Sequence, residues 1–211
     1  MPLVRWERVD AACHWALWEV RETAADLREI LQPPALDLAY LRAIRHEHKQ
    51  QEWLASRLAA RQLVRDWGEC YRGIFKDGYD KPLLRELDFR ISLSHSGGYG
   101  AAILHRSAQV GIDIEYPKEK LRNVQHRFLS EDELADAGNS PEKLSIYWCA
   151  KEVLYKLHPR KQLSFRENLR IRPFDARESG RLRGRITADH RVQEYEIAYE
   201  RHGSLTIAYG Y

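Results

Sequence analysis

Two ammonium groups, a carboxylate and two large aromatic rings fall within the run Trp148-Cys149-Ala150-Lys151-Glu152-Val153-Leu154-Tyr155-Lys156. Read as one helix, the run places Trp148, Lys151, Glu152, Tyr155 and Lys156 on one face. Ile146, Ala150, Val153, Leu154 and Leu157 fall on the other, an ordinary core stripe. The first face holds more charge than a solvated surface requires. A carboxylate held between lysines can bind a metal ion while the lysines meet the oxygens of a phosphorylated ligand.

A second acidic element lies upstream. In Val110-Gly111-Ile112-Asp113-Ile114-Glu115 the period of two sends the aliphatic residues to one side of a strand and Asp113 and Glu115 to the other. Adjacent carboxylates repel unless a cation joins them. Mg²⁺ takes a few carboxylates together with phosphate oxygens and water, and Glu152 from the helix would be a third ligand. Gly111 would leave that face open for a phosphate. The competing reading is an edge strand with a charged outer face.

Three further elements are weaker. Ser94-His95-Ser96-Gly97-Gly98 offers hydroxyls, an imidazole and glycine amides at the end of a strand, either an anion cradle or a polar turn. In Asp80-Lys81-Pro82 the proline holds the lysine extended. Arg57 and Arg61 step at i, i+4, and their guanidinium forks suit phosphate, or else form a solvated helix stripe. A serine hydrolase lacks its G-x-S-x-G elbow, zinc its H-E-x-x-H spacing, and the P-loop and Rossmann glycine patterns are also missing.

The elements that must carry these residues follow from periodicity and punctuation. A strand is expected from Cys13 to Val20, and a short helix over 23–31 ends at Pro33-Pro34. A long helix over 35–67 is broken near Arg45. The glycine- and proline-punctuated region 68–82 reads as loops and turns. Ile91–Ser96, Gly100–His105 and Gln109–Glu115 read as an antiparallel meander. Residues 117–138 look irregular around short helical turns, and the chemistry-bearing helix covers about 141–157. Strands are expected at 169–171, 182–187, 194–199 and 205–209. Strand, helix and meander thus occur twice, as two similar halves meeting near residue 105.

The chain has 211 residues and a net charge of +3, with 31 acidic and 34 basic side chains. Positive charge gathers at 41–67 and 160–191 around an acidic centre at 111–136, which suits a polyanion held partly through a divalent cation. No apolar run approaches the length of a membrane span. Nothing near the N-terminus reads as a signal peptide, and three unpaired cysteines fit a reduced, cytoplasmic setting. A nucleic-acid binder is disfavoured, because few aromatic rings interleave the basic segment and the acidic centre repels a polyanion.

Taken in order, Lys81-Pro82, Ser94-His95-Ser96, Gly111-x-Asp113-x-Glu115 and Trp148-x-x-Lys151-Glu152-x-x-x-Lys156 resemble the motif set of the 4′-phosphopantetheinyl transferase superfamily, in its longer, synthetase-activating form. Phe128-Leu129-Ser130-x-x-Glu133 also matches. The resemblance implies an α+β fold of two pseudo-symmetric halves, each a helix packed on a small antiparallel sheet, with coenzyme A in the cleft between them. The halves would be 1–105, on the 3′-phosphate side, and 106–211, on the Mg²⁺-binding and catalytic side. It implies transfer of the 4′-phosphopantetheine arm of coenzyme A to a serine of an acyl or peptidyl carrier protein, with adenosine 3′,5′-bisphosphate released. Asp113, Glu115 and Glu152 would hold Mg²⁺, and Lys156 and His95 would contact phosphate oxygens beside Ser94. Lys81, with Arg57 or Arg61, would meet the 3′-phosphate. The base is Glu152 or a water beside Glu115. A monomer is expected, because an internal duplication usually replaces a dimer. The alternative is a non-catalytic coenzyme A or nucleotide-binding module on the same scaffold.

Overall fold

The computed structural model describes residues 2–158 and 163–211. The start of the basic segment, 160–162, therefore lies outside the described residues. The chain divides into two compact units, Met1–Val110 and Gly111–Tyr211.

The first unit runs β1 (Leu3–Arg8), β2 (Cys13–Glu19), α1 (Ala24–Leu31), α2 (Ala35–Ala43), α3 (Glu47–Asp66), β3 (Ile74–Lys76), β4 (Pro82–Leu84), β5 (Arg90–Ser96) and β6 (Tyr99–His105). Its antiparallel sheet has the order β1-β2-β6-β5-β4-β3. Leu54, Ala55, Leu58, Ala59 and Leu63 of α3 bury against Ala16, Trp18, Ala102 and Leu104 of the sheet. Thr23 and Asp26 form a capping box that starts α1, and Gln32 in the left-handed region ends it. The expected break in the long helix falls at Ile44–His46, where the backbone is extended.

The second unit runs β7 (Gly111–Glu115), α4 (Glu119–Phe128), α5 (Glu131–Ala137), α6 (Pro141–Leu157), β8 (Leu169–Ile171), β9 (Ser179–Ala188), β10 (Arg191–His202) and β11 (Leu205–Gly210). Its sheet order is β7-β11-β10-β9-β8. Ser140 caps α6, and Pro141 stands at its first turn, where a missing N–H costs nothing. Ala150, Val153, Leu154 and Leu157 of α6 pack in one core with Leu169, Ile171, Leu182, Ile186 and Ile197.

The two sheets repeat one pattern. Set aside the edge strand β1, and β2-β6-β5-β4-β3 has the same connectivity as β7-β11-β10-β9-β8, with α3 and α6 in the same place. The fold is α+β in two halves, as expected. Three local expectations need correction. Gln109–Glu115 does not continue the first meander: β7 pairs with β11 and opens the second sheet. Residues 68–82 hold β3 and the first residue of its partner β4 rather than loops alone. Residues 117–138 form two helices, the second started by a Ser130–Glu133 capping box. Strand β1 was not expected, because its charged residues Arg5, Glu7 and Arg8 mask the alternation on an exposed edge.

Two glycines seat the long helices. A Cβ on Gly100 of β6 would stand 2.1 Å from the backbone nitrogen of Ser56 in α3. A Cβ on Gly111 of β7 would stand 2.6 Å from the carbonyl oxygen of Val153 in α6. Gly111 therefore serves helix–strand contact, not an open face for a ligand. Because the obstacle is backbone, Gly111→Ala is expected to cost about 1–3 kcal/mol of stability in urea unfolding. An unaltered midpoint would contradict this packing.

Candidate functional site

The acidic residues of β7 turn toward α6. Register pairs Asp113 with Ala208 and Glu115 with Thr206 on β11, while Ile112 and Ile114 are buried. The ammonium of Lys156 in α6 donates to Asp113 Oδ1 and to the carbonyl of Ile112, both at 2.7 Å. Glu115 Oε1 accepts from the ammonium of Lys118 at 2.6 Å and from the backbone N–H of Tyr116 at 2.9 Å. Glu152, one position after Lys151, is half-buried. Burial pushes its carboxyl up to about 7; Asp113 and Glu115 push the same way, and Lys156 pulls against them. The buried Cys149 thiol is pushed up by burial and then by the same two carboxylates.

Asp113, Glu115, Glu152 and Lys156 are thus brought into one electrostatic neighbourhood. Among the described residues no group of three or more His, Cys, Asp or Glu side chains is closed tightly enough to hold a metal as it stands. The donor set is all oxygen and its carboxylates repel one another, which fits a hard divalent cation.

Lys151 departs from expectation. It was placed with Glu152 and Lys156 as a phosphate contact, yet its side chain is fully buried. Its ammonium lies 2.6 Å from Glu133 Oε2, 2.7 Å from Phe128 O, 2.9 Å from Leu169 O and 3.0 Å from Phe165 O. Glu133 also accepts from the backbone N–H groups of Ser130 and Ile171, both at 2.8 Å. One ion pair thus ties α6 to the end of α4, the start of α5 and the edge strand β8. Burial lowers the lysine to about 8 against the pull of Glu133. The Ser130-x-x-Glu133 spacing is a capping-box signature that entered above only through the family resemblance; the reach of Lys151 to it has no local signal.

In the first unit, His95 on β5 directs Nδ1 at Glu52 Oε2, 3.2 Å away. Glu52, missed in the sequence, is fully buried in α3 and also accepts from Lys49 at 2.7 Å and the Gly98 N–H at 3.0 Å. Burial raises its pKa, but the hydrogen bonds from His95, Lys49 and Gly98 outweigh that and lower it to about 2. An ionised Glu52 requires His95 to donate through Nδ1. Its pattern was hidden because Glu52 looks like one more helix-surface charge. Ser94 is buried, and the ammonium of Lys81 donates to Gln109 Oε1 at 2.7 Å.

Neither arginine offers the open fork expected of it. Arg57 is buried, its guanidinium carbon 3.4 Å from the centre of the Trp53 ring, and it donates to Trp53 O and Ser56 Oγ. Arg61 donates to Ile30 O at 2.5 Å and to Leu31 O at 3.4 Å, fastening α3 to the end of α1.

Comparison with known proteins adds a decisive observation. Residues 41–105 match the model of the 4′-phosphopantetheinyl transferase N-terminal domain, and residues 109–209 match that of the 4′-phosphopantetheinyl transferase superfamily. The chain belongs to this superfamily. A curated relative, 4′-phosphopantetheinyl transferase psf-1 of Bacillus pumilus, is 37% identical over 87 residues. That match takes in 38% of this chain and spans 37% of the relative's length. In this superfamily member the first match lies within the first unit, and the second begins at 109, two residues before the Val110–Gly111 division.

Two outcomes test the site. Lys151→Met strands the buried Glu133 carboxylate and is expected to cost about 3–5 kcal/mol in chemical unfolding; a loss under about 1 kcal/mol would contradict the knot. Glu152 gives a pH signature. Its folded pKa lies above the ordinary 4.5, so the stability tied to its protonated form is present at low pH and lost as pH rises through about 7. Without divalent cations, Glu152→Gln is therefore expected to be more stable than the parent at pH 8, by on the order of 2 kcal/mol. The gap should close below pH 5, and equal melting curves at pH 8 would contradict the crowding of these carboxylates.

Proposed function

We propose that this chain transfers the 4′-phosphopantetheine arm of coenzyme A to a serine hydroxyl of a carrier protein. The observation that carries the reading is the gathering of Asp113, Glu115 and Glu152 into one electrostatic neighbourhood, with Lys156 bonded to Asp113 and Glu152 pushed up to about 7. Family membership supplies the reaction class, and the residues supply a way to perform it.

Phosphoryl-type transfer is mostly positioning and charge stabilisation, and the groups present are of that kind. Asp113, Glu115 and Glu152 would hold Mg²⁺, which when bound neutralises charge on the diphosphate of coenzyme A. Lys156 spends one N–H on Asp113 and one on Ile112 O. Its third N–H is available for a diphosphate oxygen, and its anchoring fixes the direction of that donor. The serine proton passes to the carboxylate cluster, to Glu152 or to a water beside Glu115. On the first unit the proposal assigns phosphate contacts at the nucleotide end to His95, Ser94 and Lys81. The hydrogen bond from Nδ1 to Glu52 fixes the tautomer and orientation of His95 for that task.

The test is mass spectrometry of apo carrier proteins incubated with the chain, coenzyme A and Mg²⁺. The reading expects one phosphopantetheine mass added to a serine. Glu152→Gln is expected to slow loading by about a hundredfold or more while the chain stays folded. A folded Glu152→Gln chain that loads at the parental rate would remove Glu152 from the chemistry. A parent chain that binds coenzyme A yet loads no carrier would favour the non-catalytic alternative.

A further inference from the structure

The second sheet has an arginine-rich edge that the proposed reaction does not use. Strand β9 alternates buried Leu182, Gly184 and Ile186 with exposed Arg183 and Arg185, so the two arginines share the outer face. In the register with β8, Arg170 stands directly opposite Arg185. Like charges in that position repel.

The acidic residues facing them are already engaged. Glu194 stands opposite Arg185 in the register with β10, but it pairs with Arg172 at 3.0 Å. Glu196 stands opposite Arg183, but it pairs with Arg181. Glu133, at the same rim, is taken up by Lys151 and two backbone N–H groups. Asp132 is the remaining carboxylate there. Among the described residues the guanidinium groups of Arg183 and Arg185 have no hydrogen-bonded or ion-paired partner.

These groups do not line a flat surface. Arg170, Arg172, Arg183 and Arg185 border a concavity of about 250 Å³ at the end of β8. That is ample room for a phosphoryl group. Paired guanidinium forks match the oxygens of a phosphate geometrically as well as in charge.

We propose that this concavity is an accessory oxyanion site, taking a phosphate monoester or diphosphate group, and that it shares no residue with the Asp113–Glu115–Glu152 cluster. The site does not depend on the transferase reading and stands or falls separately. The probe is inorganic pyrophosphate, titrated calorimetrically into the whole chain at low ionic strength with EDTA present, where screening is weak and divalent cations are removed.

The parent is expected to bind it. Arg183→Ala/Arg185→Ala, both exposed, is expected to lose at least about tenfold in affinity with an unaltered unfolding midpoint. Arg21→Ala, exposed and in the first unit, is expected to titrate like the parent. No binding by the parent, parental affinity in the double variant, or loss of all binding in Arg21→Ala would each overturn the proposal.

Discussion

One ammonium sets the geometry of the second unit's chemistry. Lys156 bridges a helix and an edge strand by bonding both the side chain of Asp113 and the backbone of Ile112. That double attachment fixes the rotation of α6 over β7, and with it the direction of Glu152 one turn earlier. The carboxyl of Glu152 is then half-buried and held against two others that its single counter-cation does not fully offset; burial first, and that repulsion after it, raises its pKa. A site that gathers negative charge in this way is unfavourable empty and favourable around a cation, which is the condition that metal-assisted phosphoryl chemistry needs.

The rest of the unit keeps that helix in place. Gly111 lets the strand approach the helix backbone more closely than any side chain would allow. On the far side of α6, Lys151 is drawn into a buried ion pair with Glu133 that also gathers three carbonyl groups. Such a pair adds little net stability over an apolar substitute, but losing one partner is costly, and it permits a single arrangement of α4, α5, α6 and β8. Two adjacent residues on one helix thus do opposite work: Lys151 faces inward as an anchor, while Glu152 faces the acidic strand.

Much of this was legible from residue order. Alternation in Gly111–Glu115 and helical spacing in Trp148–Lys156 gave the two halves of the acidic site, and the repeat of strand, helix and strands anticipated the matching sheets. What failed had physical causes. Helical periodicity groups Lys151 with Glu152, but a four-carbon stem can carry an ammonium into the core when a carboxylate and carbonyls await it, and those partners are 14 to 23 residues away. Glu52 reads as a surface charge because His95 and Gly98, which cover it, lie 43 and 46 residues away; Arg57 reads as a phosphate fork or a solvated stripe, although Trp53 stands only one turn earlier on the same helix. Strand β7 was joined to the wrong sheet, since short spacing favours neighbours and the duplication overrides it.

The account turns on the mutual repulsion of three carboxylates and its relief by a cation. The direct measurement is a carbon-detected NMR titration of the Glu152 carboxyl, without and then with Mg²⁺. The account predicts a midpoint near 7 in the free chain and a marked fall when the ion is added. A midpoint near the ordinary 4.5 that does not respond to Mg²⁺ would contradict it.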